Sequence, residues 1–336
     1  LDEAHRVKNF MAKRTKKTMA LAKDARIVRP MSGTFMGKNV LDLWPNLRMA
    51  GALNGVNPYV FRNRYAMMGG YMGKQVVGVR EDKMEELNQI IQSCTFMARK
   101  KDYWPDMPEF SYRELNLTMT PEQTKHYRDM KRDFYVEVGE GISANMIITQ
   151  IGKLQQISSG FIFDEAHKAH WLVKHDKNPK FQAVLETVES LGSDKLIAFV
   201  RHRPTLEALA EVLENNKIGH VVFGGGMTLA EATERKREFN EDNGKQVLIG
   251  QISAAGTAHT FLGGSEEACY TSMFVENVYE LIAREQAEGR TLRHGQRYPV
   301  EYIDLILSAE EKKIVAALRE RKNLVETIRG MVLREA

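Results

Sequence analysis

The sequence predicts an α/β protein of two doubly wound parallel-sheet lobes, the first truncated at its N-terminus and with helical insertions. Three observations carry that expectation: a length of 336 residues, apolar strands alternating with amphipathic helices after Phe181, and an acidic segment, LDEAH, at Leu1 to His5 of the kind that ends a buried strand. Domains of roughly 100 to 200 residues put two in this length. The expected division is 1–110 and 111–336.

The elements follow in order. A helix from about Ala12 to Lys23 leads into the extended RIVRPM and the turn Ser32, Gly33, Thr34, a helix, strand and loop step of an α/β layer. From Phe35 to Gly78 the chain is rich in Met, Gly and Asn, which predicts short helices and loops. Met84, Leu87, Ile90 and Ile91 mark one face of a helix. The basic run Arg99, Lys100, Lys101 then marks the passage between lobes.

Leu115, Leu117 and Met119 alternate as in a strand, and Thr120, Pro121 and Gln123 supply an N-cap, a first-turn proline and a capping-box partner. The helix from Pro121 carries Tyr127, Met130 and Phe134, and a second stripe of Met146, Ile147, Ile151, Leu154 and Ile157 ends at Gly160. These form a helical insertion at about 120–192. Strand LIAFV, a helix over Leu206 to Leu213, strand HVVF, a helix capped by Thr228 and Glu231, and strands VLIG, CYTSMFV and VEYIDLIL then alternate as a doubly wound sheet requires. Ser308 and Glu311 cap a last helix whose Ile314, Leu318, Val325, Ile328 and Val332 line one side as a brace.

Apolar residues make up 43% and charged residues 27%, the balance of a soluble globular chain. No long uncharged apolar run predicts a membrane span, and no leader is visible. Cys94 and Cys269 stand far apart, which predicts a reducing compartment, two buried thiols and no zinc site. Net charge is only +4, but the first thirty residues set Arg6, Lys8, Lys13, Arg14, Lys16, Lys17, Lys23, Arg26 and Arg29 against Asp2, Glu3 and Asp24, a local +6. Such a patch suits phosphates, although a solvated helix face is the plainer reading of it.

Two motifs carry chemistry. In nucleotide hydrolysis one carboxylate holds Mg2+ through its waters and a second orients the attacking water, the roles expected for Asp2 and Glu3. In QAEGRTLRHGQ, helical spacing places Gln286, Arg290 and Arg293 on one face, where two guanidiniums can meet the charge that develops on a γ-phosphate. Other features read as bland. GTFMGKN, Gly33 to Asn39, has the wrong spacing for a phosphate loop and Asn39 in place of a hydroxyl. The second DEAH, Asp164 to His167, reads as a polar turn after a hairpin strand with His167 and His170 exposed, and Gly224 to Gly226 as a tight loop. Trp44, Trp104 and Trp171 read as packing anchors.

Taken together, LDEAHRVKN, MSGTFMGKN, LQQISSGF, LIAFVRHRPTLEAL, VLIGQISAAGTAHTF and QAEGRTLRHGQ resemble motifs II to VI of superfamily 2 helicases. With ARKKDYWPDMPE and LTMTPEQTKHY the likeness is nearest to the Swi/Snf-type double-stranded DNA translocases. The resemblance implies two RecA-like lobes, ATP and Mg2+ as ligands, and a DNA-dependent ATPase. By it, Asp2, Glu3, Gly256, Gln286, Arg290 and Arg293 hold nucleotide; His5, Ser32, Gly33 and Thr34 couple nucleotide state to grip; and Arg99, Lys100, His202, Arg203, Gln251, Ser253 and Thr257 contact the DNA backbone. It departs from the family at Phe35 and at Ala258, His259 and Thr260. No GxxxxGK[ST] stands before LDEAH, so the expectation is that an N-terminal P-loop segment of the same parent completes the first lobe and that this stretch is inactive alone. The implied compartment is a prokaryotic or viral-host cytoplasm, or a eukaryotic nucleus. The rivals are an RNA helicase and a nucleic-acid-binding or interaction module without ATPase activity.

Overall fold

The computed structural model describes residues 1–320 apart from 34–38, 70, 74, 97, 99, 139–143, 256–259 and 265–266. The expectations for Thr34, Phe35, Arg99, Gly256, Thr257, Ala258, His259 and the brace residues Val325, Ile328 and Val332 fall outside the described residues. The chain divides into two units. One comprises Leu1–Tyr103 with Glu280–Ile282 and residues from Leu318, the other Trp104–Tyr279 with Ala283–Ala317.

In the first unit, α1 (Lys13–Lys23) begins at an extended Ala12. Two short helices follow, α2 (Trp44–Met49) and α3 (Pro58–Tyr65), the latter capped by Asn57, whose side chain accepts from the amides of Tyr59 and Val60. Strands β1 (Ala66–Gly69) and β2 (Gln75–Val79) pair antiparallel, and α4 (Met84–Cys94) follows. Helix α4 buries Leu87 and Ile91, two residues of its expected stripe. The hairpin was not expected: AMMG and QVVGV mix Met and Gly, and only the second carries the β-branched residues that announce strands. RIVRPM is extended but forms no assigned strand; Met31 N–H donates to Leu1 O and Ala4 N–H to Met31 O, both at 2.8 Å.

The second unit is a six-stranded parallel sheet. Its strands are β3 (Phe110–Asn116), β6 (Lys195–Val200), β7 (His220–Phe223), β8 (Val247–Gln251), β9 (Cys269–Phe274) and β10 (Val300–Ile306), in the order β3-β10-β9-β6-β8-β7. Between β3 and β6 lie α5 (Pro121–Val138), α6 (Ala144–Ser159), the hairpin β4 (Phe161–Phe163) and β5 (Ala169–Trp171), and α7 (Pro179–Leu191). Helices α8 (Arg203–Asn215), α9 (Leu229–Glu241) and α10 (Leu281–Glu288) connect the later strands. Along β6, Leu196, Ala198 and Val200 join α7 and α8 in one core, while Ile197 and Phe199 join α9 and α10 in the other. Burial on both faces explains why β6 reads as an unbroken apolar run. Strand β3 starts earlier than Leu115, because Tyr112 stacks on Tyr302 of β10 with ring centroids 5.3 Å apart and brings the aromatic FSY stretch into the sheet.

The caps form as expected. Thr120 and Gln123 exchange their bonds, and Gln123 Nε2 also donates to the carbonyls of Ile157 and Ser158, so one buried side chain closes two helix ends. Thr228 and Glu231 form a complete box. Ser308 Oγ accepts from Glu311 N while the Glu311 carboxylate takes Leu307 N, starting the helix at 309–320. Gly160 sits at φ +96°, where a Cβ would fall 2.7 Å from Asn178 Nδ2, so the turn after α6 needs glycine.

Candidate functional site

In the first unit the acidic pair is presented on the surface. Glu3 adopts left-handed backbone, φ 49°, and its amide donates to Asp2 Oδ1 at 2.8 Å. Both side chains are exposed, whereas His5 two residues on is buried. His5 Nδ1 lies 2.9 Å from Glu3 Oε2 and 3.1 Å from Ser32 Oγ. One imidazole therefore ties the acidic motif to the SGT turn. Burial lowers the His5 pKa, with Arg6 and Lys8 acting the same way and Glu3 opposing them. The ring is thus kept neutral at ordinary pH, and its Nδ1–H serves the Glu3 carboxylate. An exposed carboxylate such as Asp2 fits Mg2+, which prefers oxygen ligands and keeps several waters. Among the described residues no group of three or more His, Cys, Asp or Glu that could hold a metal ion occurs.

In the second unit the parallel strands bring their carboxyl ends to one edge, where ligands of open α/β sheets bind. The switch lies between β6 and β9, since the chain leaves β6 toward β8 and β7 and returns to β9 on the other side. Glu276, just past β9, fills that crevice. Its carboxylate accepts from Arg201 N at 2.7 Å, His202 N at 2.8 Å, Thr205 Oγ1 at 2.8 Å and His202 Nδ1 at 3.0 Å. The two amides that lead into α8 and a hydroxyl of its first turn thus meet one carboxylate more than seventy positions away. Burial alone would raise the Glu276 pKa, but His202, Lys180 and the hydrogen bonds outweigh it and hold the group well below the usual carboxylate range. Sequence reasoning missed Glu276; a carboxylate directly after a buried strand was the available signal.

Of the expected DNA-contacting residues, Lys100, Arg203 and Ser253 are exposed. Arg203 pairs with Glu207 at 2.8 Å in an exposed ion pair of little strength. His202 is engaged with Glu276, and Gln251 takes Gly225 N at 2.9 Å on its Oε1 while its Nε2 donates to Arg201 O at 3.3 Å. Gln251 therefore ties the loop after β7 to the loop after β6, and the three glycines form the tight turn expected of them.

The arginine motif departs from its expected geometry. Helix α10 ends at Glu288, so Gln286 is helical but Arg290 and Arg293 lie in the following turns, and the three do not share one helical face. Where the helix gives way to turns, Glu288 O is shared by Tyr302 Oη, Thr291 N and Leu292 N. Arg290 is buried, and its Nε donates to Gln286 O at 2.9 Å, which fixes the guanidinium beside the helix end. Arg293 is exposed. Gln296 Nε2 donates to Cys269 O and Thr291 O, and Ser272 bonds Thr291, so the loop is pinned to β9. Gly295, at φ +102°, allows the sharp return.

Beneath the loop lies a second network that the sequence did not reveal. Arg284, 3% exposed, donates to Glu288 Oε1 at 2.7 Å, to both Asp304 oxygens and to Asn277 Oδ1, with its guanidinium 3.4 Å from the Phe274 ring centroid. Burial works against its charge, but Asp304 and Glu288 outweigh that and raise its pKa. Tyr112 Oη completes the set by donating to Glu288 Oε2 at 3.1 Å.

The second DEAH forms the turn between β4 and β5, with Asp164 Oδ2 2.7 Å from His170 Nε2 and both His167 and His170 exposed. Cys269 is buried and Cys94, expected to be buried, is only half-buried. Among the described residues no helix is long and apolar enough to cross a membrane.

Comparison with known proteins follows this geometry. Residues 1–161 match the SNF2-related domain. The chain is 22% identical over 97% of its length to an uncharacterized ATP-dependent helicase of Mycoplasma genitalium, and 20% identical over 98% to the protein CHROMATIN REMODELING 4 of Arabidopsis thaliana. It spans 30% and 15% of those relatives. A Sulfolobus solfataricus SWI2/SNF2 ATPase core, solved in complex with double-stranded DNA, superposes with a TM-score of 0.52 at 20% identity, covering 97% of this chain and 67% of that one. The first 161 residues are thus similar to the SNF2-related domain, and the six-stranded sheet shares the RecA-like fold of SWI2/SNF2 ATPase lobes.

Proposed function

We propose that the chain is part of an ATP-dependent translocase that couples ATP hydrolysis to movement on double-stranded DNA. The observation that carries this reading is the His5 bridge, 2.9 Å to Glu3 and 3.1 Å to Ser32. Glu3 orients the attacking water; when its carboxylate shifts, His5 transmits the change to Ser32 and the SGT turn, which is the coupling a motor requires. Asp2 would hold Mg2+, which when bound would supply charge neutralisation at the phosphates. Arg290, set by Gln286 O, and the exposed Arg293 meet the γ-phosphate oxygens. Lys100, Arg203 and Ser253 contact DNA phosphates, while His202 and Gln251 hold the loops that present them. Contacts to phosphate rather than base edges give weak sequence preference, as movement along any sequence demands.

The test is DNA-stimulated ATP hydrolysis by a polypeptide that carries a phosphate loop together with this chain. Arg293→Ala lowers turnover by about 10³-fold or more, the scale of an arginine finger. An unchanged rate removes the finger assignment. Stimulation by duplex RNA in place of duplex DNA turns the reading into an RNA helicase, and binding of either without turnover turns it into a module. Triplex displacement on duplex DNA reports translocation directly.

A further inference from the structure

We infer that the exposed face of α1 is a contact surface for the phosphates of duplex DNA; the inference rests on the DNA reading above and adds a surface to it. Lys13, Lys16, Lys17 and Lys23 are exposed and fall within a sector of about 120° on a helix about 16 Å long. Arg14 lies beside them. Thr15 occupies the opposite side, fully buried, with its hydroxyl donating to Val7 O at 3.1 Å, so the cationic face is fixed outward.

Two features separate this face from an ordinary solvated one. The first turn of α1 holds no acidic residue, and no side chain caps it. Lys13, Arg14 and Lys16 therefore crowd the positive end of the helix, where cations weaken it, with Lys17 just beyond. Nor are these charges neutralised: among the described residues no carboxylate pairs with them. Helix α9 of the same chain shows the contrast. Its Arg235 pairs with Glu238, and its Arg237 with Glu234 and Glu241. A helix that keeps an unfavourable, uncompensated run of bases fits a polyanion that supplies the missing charge.

The chemistry favours duplex over single strand. Residues 11–31 contain no Phe, Trp, Tyr or His on which an unpaired base could stack, and lysines act as point charges on phosphate rather than readers of bases.

The experiment is anisotropy of a labelled 20-base-pair duplex titrated with purified 1–336 across a salt series. The variants are Lys13→Glu/Lys16→Glu/Lys17→Glu and, as control, Lys236→Glu on α9. Circular dichroism checks folding, and the milder Lys→Gln triple variant replaces the first where the helix is lost. The expected result is at least a tenfold loss of affinity at low salt and a slope of log K against log salt shallower by about 2–3, near 0.9 for each phosphate contact removed. The control keeps both values. Wild-type binding with a triple variant of equal affinity and slope overturns this surface alone. Failure of the wild type to bind duplex DNA at any salt overturns the DNA reading as well. Tighter binding of single-stranded RNA or of polyglutamate than of duplex, lost in the triple variant, assigns the face to another polyanion and overturns the duplex assignment.

Discussion

Replacing Arg284 by methionine removes the one cation from a buried set that holds two carboxylates. Asp304 is 1% exposed and Glu288 8%, and Arg284 gives hydrogen bonds to both, at 2.5 and 3.2 Å to Asp304 and 2.7 Å to Glu288. Methionine fills most of the volume and keeps contact with Phe274, so the loss is chiefly electrostatic. Removing one partner of a buried pair costs about 3–5 kcal/mol. On a domain whose whole stability is about 5–15 kcal/mol this is a large share. At about 2–4 °C for each kcal/mol in a unit of this size, the thermal midpoint of the second unit falls by about 6–20 °C. Scanning calorimetry with far-ultraviolet dichroism measures it. Adding Asp304→Asn to Arg284→Met restores part of the loss, because the more deeply buried orphan charge is gone. A single variant within 1 kcal/mol of wild type shows that water reaches the site, and the argument for a dry support under the arginine loop fails.

Other expectations follow from the same accounting. Lys180 and Glu311 form a pair 1% and 2% exposed, and Lys180→Met is expected to destabilise by about 3–5 kcal/mol, with Lys180→Met/Glu311→Gln, which removes the orphaned charge but keeps an acceptor for Leu307 N, recovering part of it in urea melts. Glu276 has a folded pKa below its ordinary 4.5, so its stabilisation is complete above that value and drains away as pH falls below it. Glu276→Gln should thus be less stable than wild type at pH 7, with a gap that narrows below about pH 4.5; a gap independent of pH refutes the ionised cap. Burial lowers the His5 pKa, so the segment that buries the neutral ring is fully stable above 6.5 and loses stability on acidification, and His5→Gln should flatten the dependence of local amide exchange at Ser32 between pH 5 and 7. Burial raises the Cys269 thiol, so a thiol reagent should label Cys94 first and Cys269 only on unfolding.

The second unit was largely legible because its information is local. Strands such as LIAFV and HVVF and the cap pairs at Thr120, Thr228 and Ser308 are decided by neighbours within four residues. What stayed hidden depends on partners far along the chain. Glu276 reaches back to Arg201 and His202, Lys180 forward to Glu311, and Arg284 to Asp304; in one dimension each reads as a surface charge. The arginine helix was drawn too long, and at its end Tyr302, fourteen residues on, shares the Glu288 carbonyl. In the first unit, the β1–β2 hairpin escaped because Met67, Met68 and Gly69 carry no strand signal of their own. In the candidate site, motif spacing singled out the acidic pair, Ser32 and the arginines as expectations, but not that His5 would join the first two or that Gln251 would bind its own loops.

Glu276 also decides how firmly the segment after β6 is held. By lodging a built-in anion at the mouth of α8, the chain supplies from within what many nucleotide-binding sheets borrow from their ligand. The segment around Arg201 and His202 is consequently held by the chain's own carboxylate and needs no bound anion to keep its form. If the chain works as the proposed translocase, any stroke is left to parts lacking such an internal counterweight, while this segment serves as a chassis.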